Sequence, residues 1–179
     1  MELLQPKELF LLLRHIINQD NIYLLNPYPL QETGDKDIKL FTSEQGIDYI
    51  LEMLDYSSRL PDPIIGSIYT FNFDRTTPKE KGELPDLRIR DTVLYFVSLY
   101  LEENINAVIT ICDSVDRRER GRYHVFRKWF DAISIEQLEK IDREVECEDL
   151  KIPCSLFIHT NNPEKEYILS FFHNMSFNY

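Results

Sequence analysis

The spacing of hydrophobic residues changes along this chain, and that change constrains the fold more than any other feature. From Tyr69 to Phe73 aromatic side chains occupy every second position, which is the period of a half-buried strand. Over Ile89–Leu101 hydrophobic residues instead recur every three or four positions, which is the period of an amphipathic helix. Because both periods occur in separate segments of one chain, the sequence predicts an α+β fold.

Three strands are expected before the long helix, and we predict that they form an antiparallel meander. They are Ile38 to Thr42, Ile47 to Tyr56 and Ser67 to Phe73. The middle segment also carries hydrophobic residues at helical spacing, but Gly46 lies between two short apolar runs and favours a hairpin. The meander is therefore the predicted first part of the sheet.

A helix, a strand, a helix, a strand and a helix are predicted after the meander. The helices are Ile89 to Leu101, about Asp116 to Phe130, and a closing helix from Asn162-Pro163, and the strands are Ala107 to Cys112 and Ser155 to His159. Residues 134–148 are open to two interpretations. Ser134 and Gln137 form a capping-box pattern typical of a short helix, although a strand also fits this segment.

An amphipathic helix is also predicted near the N-terminus, at Pro6–Ile17. Its apolar stripe consists of Leu9, Leu12, Leu13, Ile16 and Ile17. Two prolines within residues 26–29 then require extended backbone, so we divide the chain into a helical appendage at 1–21 and a single α+β domain at 22–179. An apolar stripe needs cover, so we expect the appendage to dock on the domain or to mediate self-association.

Composition excludes several classes of protein. The longest purely apolar run, Leu9–Leu13, is much shorter than the roughly 18–20 residues of a membrane span. The chain opens without a basic segment or a small-residue cleavage site, so we expect a cytoplasmic protein and no membrane partner. Its 3 cysteines and 5 glycines form neither a disulfide framework nor a phosphate-binding glycine motif.

Four blocks of residues carry a resemblance to a known family. They are Phe41-Thr42 to Tyr49, Tyr69-Thr70-Phe71, Ile109 to Ser114 with Arg122 to Phe130, and His159 to Asn162-Pro163. In this order the chain resembles a small family of Bacteroidetes-type bacteria, domain of unknown function 6169, over about Pro27–Phe172. The resemblance implies a bacterial origin and one compact domain, and it implies no activity.

The chain departs from that family at one point. Family members carry a glycine soon after the aspartate that follows the cysteine of the Ile111-Cys112-Asp113 block. This chain has Ser114-Val115-Asp116-Arg117 there instead. The departure argues against a site that requires a flexible turn after Asp113.

The most unusual stretch is the Arg-rich helix predicted at residues 116–130. Between Ser114 and Phe130 the charge is +4, whereas the whole chain carries -11. Arginine binds oxyanions in a bidentate manner, and a helix N-terminus favours negative charge. The candidate anion-binding or partner-binding residues are Arg117, Arg118, Arg120 and Arg122. The alternative is that these arginines pair with the abundant carboxylates of the same chain.

Two classes of function follow from this helix. The leading hypothesis is a non-enzymatic binding or regulatory protein whose partner is a protein or a phosphate-bearing ligand. Nucleic acid is less favoured, because the acidic chain repels a polyanion beyond the local patch. The alternative is a phosphoryl-handling enzyme, a metal-dependent phosphodiesterase or nuclease, that uses Asp113, Asp116 and His124.

The remaining cysteine and histidine residues favour structural roles. Cys147, Cys154 and His159 lack the close spacing of a structural zinc site. Cys112 lies in a predicted buried strand, where a thiol behaves as a small hydrophobic group. His159 is expected to organise the turn after its strand through local hydrogen bonds. We therefore expect no metal site and no cofactor.

Overall fold

The computed structural model describes residues 25–77, 85–112, 119–131, 137–147 and 150–176. The strands are β1 (Gln31–Glu32), β2 (Ile38–Thr42), β3 (Asp48–Asp55), β4 (Ile68–Arg75), β5 (Ala107–Ile111), β6 (Leu138–Cys147) and β7 (Leu150–His159). The helices are α1 (Leu87–Tyr100), α2 (Glu119–Asp131) and α3 (Lys165–Asn174), with a 3-10 turn at Ser57–Arg59. The predicted α+β class is confirmed.

The seven strands of the described residues form one sheet in the order β1-β2-β3-β4-β5-β7-β6. β4 and β5 pair in parallel, and every other neighbouring pair is antiparallel. α1 supplies the crossover that a parallel pair requires between its two strands. The predicted meander is confirmed as β2-β3-β4, and the turn before β3 places Gly46 at φ 73°, in the left-handed region that favours glycine.

One face of the sheet packs against α1 and α2. Asp86 starts α1, because its side chain accepts a hydrogen bond from the Arg88 amide. Val93, Phe96 and Val97 of this helix then join the buried cluster on the sheet, as their helical spacing predicts. The helix–sheet core therefore lies above β3, β4 and β5.

The opposite face packs against α3. Ile168 and Phe172 are fully buried there against aliphatic side chains of β5 and β7, including Ile109 and Leu156. Because α1 and α2 cover the first face, the sheet around β5 and β7 has a helix layer on each side. The described chain is thus a three-layer arrangement at this end of the sheet.

Residues 138–147 form a strand, so the simple order of helix, strand, helix, strand, helix is wrong by one element. β6 pairs with β7 along its whole length, from Leu138 opposite His159 to Cys147 opposite Leu150. The ladder of backbone hydrogen bonds outweighs the capping-box pattern. From Ile141 to Glu146 more buried and more exposed side chains alternate, which is a strand period that the sequence already carried.

Two further predictions concern helix starts. The closing helix begins at Lys165 rather than at Pro163, because the Asn162 side chain accepts a hydrogen bond from the Glu164 amide and forms a turn first. α2 is described from Glu119, so the predicted start at Asp116 lies outside the described residues. The predicted N-terminal helix at Pro6–Ile17 also lies outside them.

Candidate partner-binding face and ligand cleft

Aromatic side chains hold α2 on the sheet. The ring centroids of Phe130 and Phe157 are 4.1 Å apart, and Phe126 lies 6.1 Å from Phe71. Trp129 contacts Phe126 and, at 6.4 Å, Phe73 of β4. These contacts fix which side of α2 faces the protein and which side faces solvent.

The sequence also predicts that Trp129 and Phe130 are largely buried against Ala107–Cys112, so that truncation of the tryptophan costs about 3–5 kcal/mol. The packing of α2 corrects this prediction. Both side chains are instead only partly buried, and their ring contacts are to β4 and β7. A partly exposed side chain removes less apolar area from water, so the stability lost in Trp129→Ala should be smaller.

The opposite side of α2 forms an exposed basic surface, which we call the α2 outer face. It consists of Arg120, His124, Val125, Arg127 and Lys128. Arg127 pairs with Asp131 at 3.5 Å, and both side chains are 54% exposed. Within the part of the chain that the structure describes, Arg120 and Lys128 have no ion-pair partner. The outer face therefore keeps a positive charge that carboxylates of the described residues do not neutralise.

Arg122 and Tyr123 lie on the inner side of the same helix. Burial raises the pKa of the Cys112 thiol to about 11, while the nearby charge of Arg122 lowers it by a smaller amount. Burial and a hydrogen bond to Asp142 raise the pKa of Tyr123. Burial and the raised pKa both favour the protonated thiol, in agreement with the role of a small hydrophobic group expected for Cys112.

The structure separates the residues that the sequence grouped together. Arg120 and Arg122 are two positions apart, and two positions turn a helix by about 200°. Arg120 and His124 therefore share the outer face, whereas Arg122 is partly buried on the other side. Asp113, Asp116, Arg117 and Arg118 lie outside the described residues.

A cleft of about 520 Å³ lies where the C-terminal end of α1 meets the end of β7 and the start of β6. Its apolar walls are Leu101, Ile105 and Leu138, and its polar lining includes Glu102 and Glu103. Sequence reasoning missed this cleft, because its walls come from segments far apart in the chain. One signal was present: Glu102 and Glu103 follow a helix C-terminus, where the helix dipole disfavours negative charge.

His159 also lines the cleft and joins its two walls. Its Nε2 lies at hydrogen-bond distance from the backbone oxygen of Leu101, and a carbonyl oxygen accepts, so Nε2 donates. Its Nδ1 is buried and has no hydrogen-bond partner among the described residues. The side chain therefore ties the end of β7 to the end of α1, rather than organising its own turn as predicted. The turn is instead held by Asn162, whose backbone amide donates a hydrogen bond to the backbone oxygen of His159.

The carboxylates of the cleft influence each other. Glu102 and Glu103 are both exposed at the cleft rim, directly after the last turn of α1. Partial burial raises the pKa of Glu102, and the negative charge of Glu103 raises it further. Two like charges at the negative end of a helix form an electronegative site that favours a cation.

A family model described as "Family of unknown function (DUF6169)" matches residues 85–174, which is half of the chain. The chain belongs to the DUF6169 family. The DUF6169 match contains α1, α2 and α3, and with them both the α2 outer face and the cleft. No curated protein and no solved structure matches the chain.

No described helix has the length and apolar character that crossing a membrane requires. Among the described residues, no group of three or more His, Cys, Asp or Glu side chains is arranged to hold a metal ion.

Proposed function

We propose that this protein is a non-enzymatic binding protein whose α2 outer face binds an acidic segment of another protein. The observation that carries this proposal is the exposure of Arg120 and Lys128, without ion-pair partners among the described residues, on a chain of net charge -11. A positive surface on an acidic protein attracts an acidic partner and orients it as it approaches.

The geometry favours binding over phosphoryl chemistry. An enzyme that uses His124 as a base needs a second catalytic group within hydrogen-bond reach of the same substrate. His124 lies on the exposed side of α2 and Arg122 lies on the inner side, so the described helix does not bring these two side chains together. Asp113 and Asp116, the carboxylates of this alternative, lie outside the described residues. An exposed, convex helix surface supports recognition of a partner rather than enclosure of a substrate.

An acidic protein segment fits this surface better than a nucleic acid. Single-stranded nucleic acids bind through aromatic side chains that stack on the bases. Tyr123 is partly buried, and Asp142 engages its hydroxyl group. The apolar side chain exposed on the outer face is Val125, which is 44% exposed. A segment that alternates acidic and apolar residues would match both the charges and this apolar side chain.

The test uses a charge-reversal pair and a matched control. We would titrate the protein into a short fluorescent peptide of alternating glutamate and leucine residues and follow its anisotropy. In Arg120→Glu/Lys128→Glu we expect the affinity to fall by about tenfold or more, since two attractions become repulsions. The control is Lys36→Glu/Lys151→Glu, which changes the net charge equally at side chains 88% and 58% exposed. It should retain binding.

Salt provides the second measurement. The screening length falls from about 30 Å at 0.01 M salt to about 3 Å at 1 M, so binding should weaken steeply over this range. Absence of wild-type binding at low salt would overturn the proposal, as would equal losses in the two double variants. Tighter binding of single-stranded RNA or DNA than of the peptide would replace the protein partner with a nucleic acid.

A further inference from the structure

We propose that the cleft between the C-terminal end of α1 and the end of β7 binds a small organic ammonium ion that carries an apolar group. The volume of about 520 Å³ lies within the range of ligand sites, which is roughly 300–1,000 Å³. This site is separate from the α2 outer face, since none of the five residues of that face lines it.

The negative charge of the cleft determines that the ligand carries a positive charge. Glu102 and Glu103 stand directly after α1, where unsatisfied carbonyl groups already produce a partial negative charge. The backbone oxygen of Leu101 already accepts from His159 at the cleft wall, so the two carboxylates supply the charge of the site. Among the described residues the lining contains neither lysine nor arginine, so its fixed charges favour a cation and repel a carboxylate or phosphate.

The apolar walls select the rest of the ligand. Leu101 is buried, and Ile105 and Leu138 are partly buried beside it. Transfer of a hydrocarbon group from water onto such walls is favourable in proportion to the area buried. A bare metal ion would leave these walls unused, whereas an alkyl or aryl ammonium ion uses both the walls and the carboxylates.

The arrangement is unfavourable for the empty protein. Two adjacent carboxylates at the negative end of a helix are unfavourable for each other and for the helix dipole. Burial is the main cause of the raised pKa of Glu102, and repulsion from Glu103 adds to it. Proteins violate such local rules most often at functional sites. A bound ammonium group would relieve the repulsion, because it donates hydrogen bonds to carboxylate oxygens.

The experiment compares three probes of similar size and different charge. They are phenethylammonium, phenethyl alcohol and phenylpropionate. We would add each to the uniformly ¹⁵N-labelled protein and follow amide shifts in two-dimensional NMR spectra. Phenethylammonium should shift the amides of Leu138, His159 and Asn161, which line the cleft, while the alcohol binds more weakly and the carboxylate does not bind.

The decisive variant replaces two exposed carboxylates, so we expect it to fold as the wild type does. In Glu102→Gln/Glu103→Gln the affinity for phenethylammonium should fall by about tenfold, the effect of one lost charge-assisted hydrogen bond. The control is Glu32→Gln/Glu146→Gln, which removes two charges at side chains 77% and 80% exposed and outside the cleft. It should bind as the wild type does.

Three results would overturn the proposal. The first is the absence of shifts at the cleft in the wild type. The second is equal affinity for the ammonium ion and the alcohol, which would mean that the carboxylates do not select charge. The third is an equal loss in the two double variants, which would assign the binding to net charge rather than to Glu102 and Glu103.

Discussion

The two ends of the sheet are built differently, as β3 and β7 show. In β3 burial alternates: Leu51 and Met53 are almost fully buried, whereas Ile50 is 36% exposed and Leu54 is 45% exposed. In β7 every residue from Ile152 to Ile158 is buried. The sheet is therefore covered on one face at β3 and on both faces at β7.

The difference follows from the placement of the helices. α3 packs against the face of β5 and β7 that α1 and α2 leave uncovered. On the one-sided end, the core consists instead of stacked aromatic rings on the covered face. Phe41 lies 4.9 Å from Tyr49, and Tyr49 lies 5.5 Å from Phe73. The same sheet thus obtains its stability from two layers at one end and three at the other.

The largest expected effect is at the three-layer end. Phe172→Ala removes a fully buried ring from between α3 and β7, so it should lower the free energy of unfolding by about 3–5 kcal/mol. Urea denaturation measures this directly. A loss below about 1 kcal/mol would mean that α3 contributes little to the core and that the three-layer description is wrong.

A smaller effect is expected where the two ends of the sheet join. A Cβ atom at Gly66, just before β4, would overlap the backbone oxygen of Ile105, just before β5. Gly66→Ala should therefore separate this parallel pair locally and lower the stability by about 1–3 kcal/mol. Gly34→Ala is the control, because nothing lies within 4 Å of the added atom. Equal melting temperatures of the two variants would contradict this prediction.

The two ends should also differ in their response to alkaline pH. Burial raises the pKa of Cys112 to about 11 and that of Cys154 to about 12. An unfolded chain loses its thiol protons near pH 8.5, while the folded chain keeps them, so stability must fall as the pH rises from there toward about 11. Each thiol contributes up to about 1.4 kcal/mol per pH unit.

The measurement compares unfolding of the wild type and of Cys112→Ala/Cys154→Ala at pH 8 and pH 10. The two proteins differ in stability at pH 8, so the quantity compared is the decrease in the free energy of unfolding between pH 8 and pH 10. This decrease should be smaller in the double variant than in the wild type. Tyr28 and Tyr100, whose pKa values are also raised by burial, add a further loss at higher pH in both proteins. Identical losses would show that the thiols do not cause the effect.

The smallest effect is expected on the uncovered face of β3. Leu54→Ala removes a side chain that is already 45% exposed, so the free energy of unfolding should change by less than about 0.5 kcal/mol. A loss close to that of Phe172→Ala would show that something covers this face in solution. That result would reduce the contrast between the two ends of the sheet.

Local patterns predicted most of the elements. The two-residue period before Phe73 and the helical spacing after Ile89 lead to β4 and α1 with bounds that differ by a few residues. They succeed because side-chain direction repeats every 2 residues in a strand and every 3.6 in a helix. Burial of one face therefore produces a pattern of hydrophobic residues with the same period. The sequence leaves β6 open to two interpretations, because the alternation in this strand is carried largely by charged residues.

The candidate sites show the limit of that reasoning. The Arg-rich character of α2 is visible in the sequence, but which arginines face solvent depends on the side that Phe126 and Phe130 bury. Apart from the two glutamates after α1, the cleft was not predictable, because Glu102 and His159 are brought together only when β7 pairs with β5. His159 then reaches Leu101, 58 positions away in the chain.

The sequence by itself determined the class of the fold, the meander, the main helices and the family resemblance. These depend on interactions between near neighbours, such as the Asp86 cap and the turn at Gly46. Only the tertiary structure decided that β6 is an edge strand, that the sheet has two layers at one end and three at the other, and that a cleft closes around His159. Each of these depends on contacts between distant segments, whose free energy exceeds local preferences.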